Sequence, residues 1–266
     1  MLEKKSEIEK KIFVDAHFHY ARCVENHPDF LPDWPSVSCA HSESEWKVQE
    51  NAPLCVKRAF GLHPQASAFC DFDFNKTADF LENLLKEKNA ALPSCKINAI
   101  GEAGFDFFTP QFKEKRELQE KMWNVQLELA LFYNMPLVVH ARRANEKLFE
   151  YACRLKKLPA VLFHSFMGSP VEALSLIRRG INCSFSFGKQ LLNGNKKVIE
   201  CAKLIPMENL LLETDAPFQT LKGEEETLPS EIERVYKAFL ELRSVSPEEA
   251  FLQLEKNFFR IFENWQ

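Results

Sequence analysis

Leu137-Val138-Val139-His140 and Ala160-Val161-Leu162-Phe163-His164 are two short apolar runs, each closed by a histidine. Neither alternates with polar residues, which is how a strand buried on both faces reads. Between them, Asn145–Lys156 carries a helical pattern. Strand, helix, strand at this spacing is a parallel βαβ unit, and the same rhythm continues in both directions along the chain.

Upstream, strand-like runs fall at Ile12–His17, Val37–Ala40, Val56–Gly61 and Asn98–Glu102; downstream they fall at Ile181–Phe185 and Asn209–Glu213. Helical patterns occupy Asn75–Asn89, Gln111–Tyr133, Pro170–Arg179 and Gly188–Leu204. Leu118, Met122, Val125, Leu129 and Phe132 keep one apolar face through the second of these. Two closing helices are predicted at Ser230–Leu242 and Ser246–Asn264. The latter opens on Ser246-Pro247-Glu248-Glu249, with Ser at the N-cap, Pro at the first helical position and Glu at the third. Eight strands alternating with helices predict an α/β fold, a single (β/α)8 TIM-type barrel over residues 1–266. An open doubly wound sheet is the competing arrangement, but no G-x-G-x-x-G follows any strand.

The 266 residues carry 34 Lys+Arg against 38 Asp+Glu, a net charge of -4, with 45% apolar and 27% charged residues. Eight glycines and 24 phenylalanines exclude collagen-like and disordered chains, and the phenylalanines are expected in the core. The start, Met1 to Lys11, has charge but no apolar stretch, so it does not read as a secretory signal. No apolar run approaches the ~20 residues of a membrane helix, so no membrane partner is expected. Cys23, Cys39, Cys55, Cys70, Cys95, Cys153, Cys183 and Cys201 contain no C-x-x-C pair, which fits reduced, mostly buried thiols in a cytoplasmic protein. The near-neutral charge argues against broad binding along duplex nucleic acid, but leaves room for a nucleic-acid substrate held through metal ions.

A barrel carries its active site at the C-terminal ends of its strands. There the chain places His17 and His19, His63, Glu102, His140 with Arg142, His164, and Asp215. Five of the seven histidines fall on this face, while His27 and His41 read as loop residues. So many imidazoles and carboxylates at one barrel mouth are costly to bury unless something pairs with them, and a metal is the natural partner. His17-x-His19 puts two imidazoles on one side of an extended strand, within reach of one cation. Glu102 has two oxygens and can bridge two ions, His140 and His164 can hold the second, and Asp215 can return to the first and contact an attacking water. Imidazole–carboxylate sets of this kind accept several divalent ions, zinc, manganese and magnesium among them.

Several of these segments together resemble the TatD family of metal-dependent deoxyribonucleases, within the amidohydrolase superfamily. They are Val14-Asp15-Ala16-His17-Phe18-His19, Gly61-Leu62-His63-Pro64, Ala99-Ile100-Gly101-Glu102-Ala103-Gly104-Phe105-Asp106 and Pro136-Leu137-Val138-Val139-His140-Ala141-Arg142. Phe163-His164-Ser165-Phe166-Met167-Gly168-Ser169, Leu211-Leu212-Glu213-Thr214-Asp215-Ala216-Pro217 and Asn257-Phe258-Phe259-Arg260-Ile261-Phe262 complete the set, which spans nearly the whole chain. The resemblance implies a barrel with two divalent ions, one held by His17, His19, Glu102 and Asp215 and the other by Glu102, His140 and His164. It further implies catalysis by Asp215 and Glu102, a substrate phosphate facing His63 and Arg142, and 3′-5′ exonuclease action on DNA ends.

Two departures bear on substrate. The family commonly reads His-Pro-His where this chain has His63-Pro64-Gln65. An Arg/Asn-containing run after the strand-eight Asp is replaced by Leu221-Lys222-Gly223-Glu224-Glu225-Glu226, whose charge is expected to repel a phosphate backbone. That acidic run motivates a second reading, hydrolysis of an ester or amide in a small molecule or an aminoacyl-tRNA at the same metal site. A third is a barrel without catalysis that serves as a scaffold.

Overall fold

The computed structural model describes residues 12–87, 92 and 96–263. The charged start, Asn89, Cys95 and Asn264 lie outside the described residues. Eight strands form one parallel sheet in sequence order: β1 (Asp15–Phe18), β2 (Ser36–Ala40), β3 (Val56–Phe60), β4 (Ala99–Asp106), β5 (Leu137–Arg142), β6 (Val161–Phe163), β7 (Cys183–Phe187) and β8 (Leu210–Leu212). Around them run α1 (Tyr20–Asn26), α2 (Glu43–Gln49), α3 (Phe74–Glu87), α4 (Pro110–Glu114), α5 (Arg116–Phe132), α6 (Asn145–Glu150), α7 (Ala152–Leu155), α8 (Pro170–Arg178), α9 (Lys196–Leu204), α10 (Ile232–Leu242) and α11 (Pro247–Phe262). This is the barrel that the alternation of runs predicts.

Seven of the eight strands are buried along most of their length and β5 along its first half, and Phe60, Phe105, Phe163, Phe185, Phe187 and Phe239 are fully inside. Each such side chain contributes roughly 1.5–3 kcal/mol when it leaves water. Helix starts follow the local sequence: Ser169 and Ser246 accept from the backbone N–H of Glu172 and Glu249, which reach back to the caps.

The structure departs from the predicted elements in instructive places. β1 begins at Asp15 rather than Ile12. β4 runs four residues past Glu102, to Asp106. Helices α1 and α2 form in the Pro- and Ser-rich stretch that shows no strong apolar period. The stretch predicted as a single helix at 111–133 breaks into the short α4 and the 17-residue α5, and that at 145–156 into the short α6 and α7. The one at 188–204 is a 3₁₀ turn at Lys189–Leu191 followed by α9. Asn195 caps α9 by accepting from the Val198 N–H, which explains the late start.

Two irregularities position the polar residues. Between Ile100 and Ala103, β4 carries one residue more than β5 carries between Leu137 and Val139, and between Asp15 and Phe18, β1 has one more than its partner β2 has between Ser36 and Ser38. These are bulges, which turn side chains off the regular alternation. Glycine is required at the first: Gly101 and Gly104 have φ of 148° and 145°, and a Cβ on Gly104 would meet the His140 carbonyl at 2.0 Å.

The β1–β8 seam is closed beyond the strand ends. The Asp215 N–H donates to the His17 carbonyl at 2.9 Å and the His19 N–H to that of Ala216 at 2.8 Å. Asp15, fully buried, accepts from the N–H and hydroxyl of Thr214 at 3.0 and 2.7 Å. The hydrogen bonds that shut the barrel therefore also fix His17, His19 and Asp215 to one another.

Candidate metal centre

Glu102 stands at the centre of the barrel mouth, buried, on the β4 bulge. Six imidazoles approach its two oxygens. On the Oε2 side lie His41 Nε2 at 3.1 Å, His17 Nε2 at 3.4 Å and His19 Nε2 at 3.6 Å. On the Oε1 side lie His164 Nε2 at 2.7 Å, with His63 Nε2 and His140 Nδ1 each at 3.5 Å. Asp215 Oδ1 is 3.4 Å from His17 Nε2 and 3.3 Å from His19 Nε2. All six residues predicted as ligands meet here, and His63 joins them. His17 and His19 turn toward one point as period-two geometry requires, their Nε2 atoms 3.3 Å apart.

One reading is corrected. His41 is no detached loop residue: it follows β2 directly, as His63, His140 and His164 sit at or just past the ends of β3, β5 and β6, and it faces Glu102. The signal was present in Val37–Ala40, the weakest of the strand-like runs, but the polar stretch around it obscured the parallel. His27 does lie outside the site, paired with Glu226 at 2.7 Å.

Neighbouring groups fix how several rings present themselves. His140 Nε2 faces Asp106 Oδ2 at 3.2 Å, so in the neutral ring its N–H points away and Nδ1 turns its lone pair inward. His63 is the opposite case, because its Nδ1 accepts the Gln65 N–H at 3.2 Å. In the neutral ring Nε2 then carries the proton and is a donor toward the cleft. Burial, above all, pushes the His63 pKa down to about 3, so the ring is neutral. The side chain of Gln65, where the family commonly has histidine, donates to the same Asp106 oxygen at 2.7 Å. It supports the carboxylate that orients His140. Sequence reasoning also passed over Asp106 and Glu213; the latter is fully buried and accepts from the Ser186 hydroxyl at 2.5 Å and the Ser165 N–H at 2.9 Å.

The electrostatics favour positive charge at the centre. Burial works against ionised Glu102, yet the imidazoles of His17 and His164 hold its carboxyl well below the usual range. Burial likewise opposes ionised Asp215, but hydrogen bonds from His17 and His19 depress its pKa strongly. Burial lowers the His140 pKa, but Asp106 and Glu102 outweigh it and raise the value to about 9. Protons thus stabilise the carboxylates where a cation could do so.

The donor set fits divalent metal. Imidazole nitrogens converge on each other and on carboxylates, His140 Nδ1 lying 3.0 Å from His164 Nε2. Glu102 Oε2 and both ring nitrogens of His41 are buried without a hydrogen-bond partner. Four overlapping groups have ligand atoms mutually within 4.8 Å: His17-Glu102-His164, His17-His19-Asp215, His19-His41-Glu102 and His63-Glu102-His140.

Above the centre opens a cleft of about 1160 Å³, whose wall includes Arg22, Phe69, Phe72, Lys76, Arg142 and Phe218. Arg142 stacks its guanidinium over Phe108, 3.5 Å from the ring centroid. The acidic run does not behave as expected from its charge. Glu224 pairs with buried Lys189 at 2.6 Å and with Arg234 at 3.0 Å, and Glu226 binds His27 and the Asn26 amide. Two of the three acidic side chains are thus tied to partners within the protein.

A parallel barrel with imidazoles and carboxylates gathered at its C-terminal mouth fits the class of metal-dependent hydrolases. The profile of the family described as TatD related DNase matches residues 14–263, and the chain belongs to the TatD family. The chain is 33% identical over 179 residues to an uncharacterized metal-dependent hydrolase, MG009, of Mycoplasma genitalium, covering 65% of this chain and 64% of that protein. It is 33% identical over 178 residues to the 3′-5′ ssDNA/RNA exonuclease TatD of Escherichia fergusonii, covering 66% and 64%. Both alignments span a little under two thirds of the relative's length. The crystal structure of YjjV, a TatD homolog from Escherichia coli K12, superposes with a TM-score of 0.80 at 24% identity, covering 94% of this chain and 97% of that one, which shows the shared fold. Among the described residues no helix is long and apolar enough to cross a membrane.

Proposed function

We propose that the protein is a phosphodiesterase that removes nucleotides from the 3′ end of single-stranded DNA, with two divalent ions that Glu102 would help to hold. The observation that carries this reading is the division of imidazoles between the two oxygens of one buried carboxylate. His17, His19, Asp215 and Glu102 Oε2 would hold one ion; His140, His164 and Glu102 Oε1 the other. Such ions supply Lewis acidity and neutralise charge developing on a phosphate.

The chain's own residues complete the chemistry. Asp215 is ionised and oriented by Gln219, whose amide donates to Oδ2 at 2.9 Å. It accepts the proton of the attacking water as the new P–O bond forms; the P–O3′ bond breaks, and the 3′ oxygen leaves as the terminal hydroxyl of the shortened strand, taking its proton from solvent. His63 donates its Nε2–H to a non-bridging phosphate oxygen, and Arg142 at the cleft edge offers a bidentate fork. A relative named as a 3′-5′ ssDNA/RNA exonuclease supports the substrate class and polarity. The ester or amide reading loses its motive, because Glu224 and Glu226 are bound to partners within the protein.

Asp215→Asn is the direct test: we expect metal-dependent cleavage of 3′-labelled single-stranded DNA to fall by at least about 10²-fold, the scale of a lost proton acceptor. Wild-type rates in a folded Asp215→Asn protein would contradict the assignment.

A further inference from the structure

We propose that His41 is an additional metal ligand, binding the cation on the Oε2 side of Glu102 and giving that position three imidazoles; this rests on the two-ion reading above. Three observations converge on it. His41 Nε2 is nearer to Glu102 Oε2, at 3.1 Å, than either His17 or His19. The ring keeps a fifth of its surface exposed, yet both its nitrogens are buried without a hydrogen-bond partner, as is the carboxylate oxygen that Nε2 faces. Buried polar atoms left in that state are costly, and one cation between them would satisfy Nε2 and Oε2 together. Third, among the described residues no hydrogen bond pins the tautomer of His41, whereas the Gln65 N–H commits His63 to donating from Nε2. Of the two rings outside the six-residue set, only His41 is free to turn a lone pair inward.

The local fold holds the ring in place. The His41 N–H donates to Glu45 Oε2 at 2.7 Å, while the Ser42 hydroxyl accepts the Glu45 N–H at 3.2 Å and caps α2. Arg22 secures the other Glu45 oxygen at 2.7 Å. His41 therefore stands on a helix start that is already tied down, and little conformational freedom is lost when it binds an ion. Three imidazoles with Glu102 and Asp215 make a nitrogen-rich shell. Such a shell favours zinc, cobalt or iron(II) over magnesium, which takes oxygen ligands and keeps its waters.

The test is calorimetric titration of metal-stripped protein with Zn²⁺ and with Mg²⁺, with bound metal counted by elemental analysis. The proteins compared are wild type, His41→Gln, His41→Asp and His63→Gln. We expect two Zn²⁺ per wild-type chain. In His41→Gln one of the two affinities falls by about 10–100-fold while the other holds, and in His63→Gln both hold. His41→Asp, which offers oxygen for nitrogen, narrows the preference for Zn²⁺ over Mg²⁺ by a similar factor. Unchanged Zn²⁺ affinities in folded His41→Gln and His41→Asp would overturn the proposal while leaving the two-ion reading standing. A wild-type protein that binds no ion would instead remove the reading beneath it.

Discussion

At the scale of single residues, the site separates rings that present a lone pair from a ring that presents a proton. Asp106 turns His140 one way and the Gln65 backbone turns His63 the other. This difference gives an expected outcome. His63→Ala removes a donor to the substrate phosphate and lowers kcat by about 10²–10³-fold, the usual cost of one such donor, while the bound metal count stays at the wild-type value. Loss of an ion in that variant would make His63 a ligand instead. The residue scale is also where the sequence was most legible: His17, His19, His140, His164 and Asp215 stand at or near the C-terminal ends of strands and meet around Glu102, which lies within β4. His41 was missed because its strand is short and its surroundings polar. Asp106 and Glu213 were missed, and Gln65 was noted only as a departure from the family pattern, because supporting carboxylates and amides look, in one dimension, like any other polar residue. The charge of Glu224–Glu226 misled for a related reason, since the partners Lys189 and His27 lie far away in the chain.

At the scale of elements, the bulged strands and the loop after β8 do the positioning. Glu102 reaches the axis because β4 carries an extra residue, and Gly104 lets that strand pass the His140 carbonyl. Gly104→Ala is therefore expected to cost at least about 1–3 kcal/mol through overpacking. That lowers the melting temperature by roughly 2–4 °C per kcal/mol in a chain of this size. The loop after β8 is anchored to buried Lys189 through Glu224 and Glu231, at 2.6 and 2.5 Å. Hydrogen bonds from Lys189 and the Leu221 N–H hold the Glu224 carboxyl at about 2, against an ordinary value of 4.5. Its contribution is present above the ordinary value and is lost as pH falls from about 4.5 toward 2. The gap in melting temperature between wild type and Glu224→Gln should accordingly close across that window; a gap constant from pH 6 to 2 would show that this latch is not electrostatic. Alternating apolar runs revealed the eight strands, but not the bulges, which depend on register between neighbours. Nor did they reveal α1 and α2, where packing overrides weak local periodicity.

At the scale of the whole molecule, a chain of net charge -4 collects its imidazoles at one end of a barrel. Two divalent ions there would make the mouth locally positive, whatever the overall balance. Substrate binding is then expected at a strand end that enters the cleft, rather than along a duplex. The most direct test of this account is digestion of single-stranded DNA labelled at its 3′ or its 5′ end, by protein whose bound metal has been counted, before and after chelation. The account predicts two ions per chain, mononucleotides released first from the 3′ label, and no release after chelation until a divalent ion is restored. Cleavage that persists without metal, or a fully loaded protein that leaves the DNA intact, would contradict it.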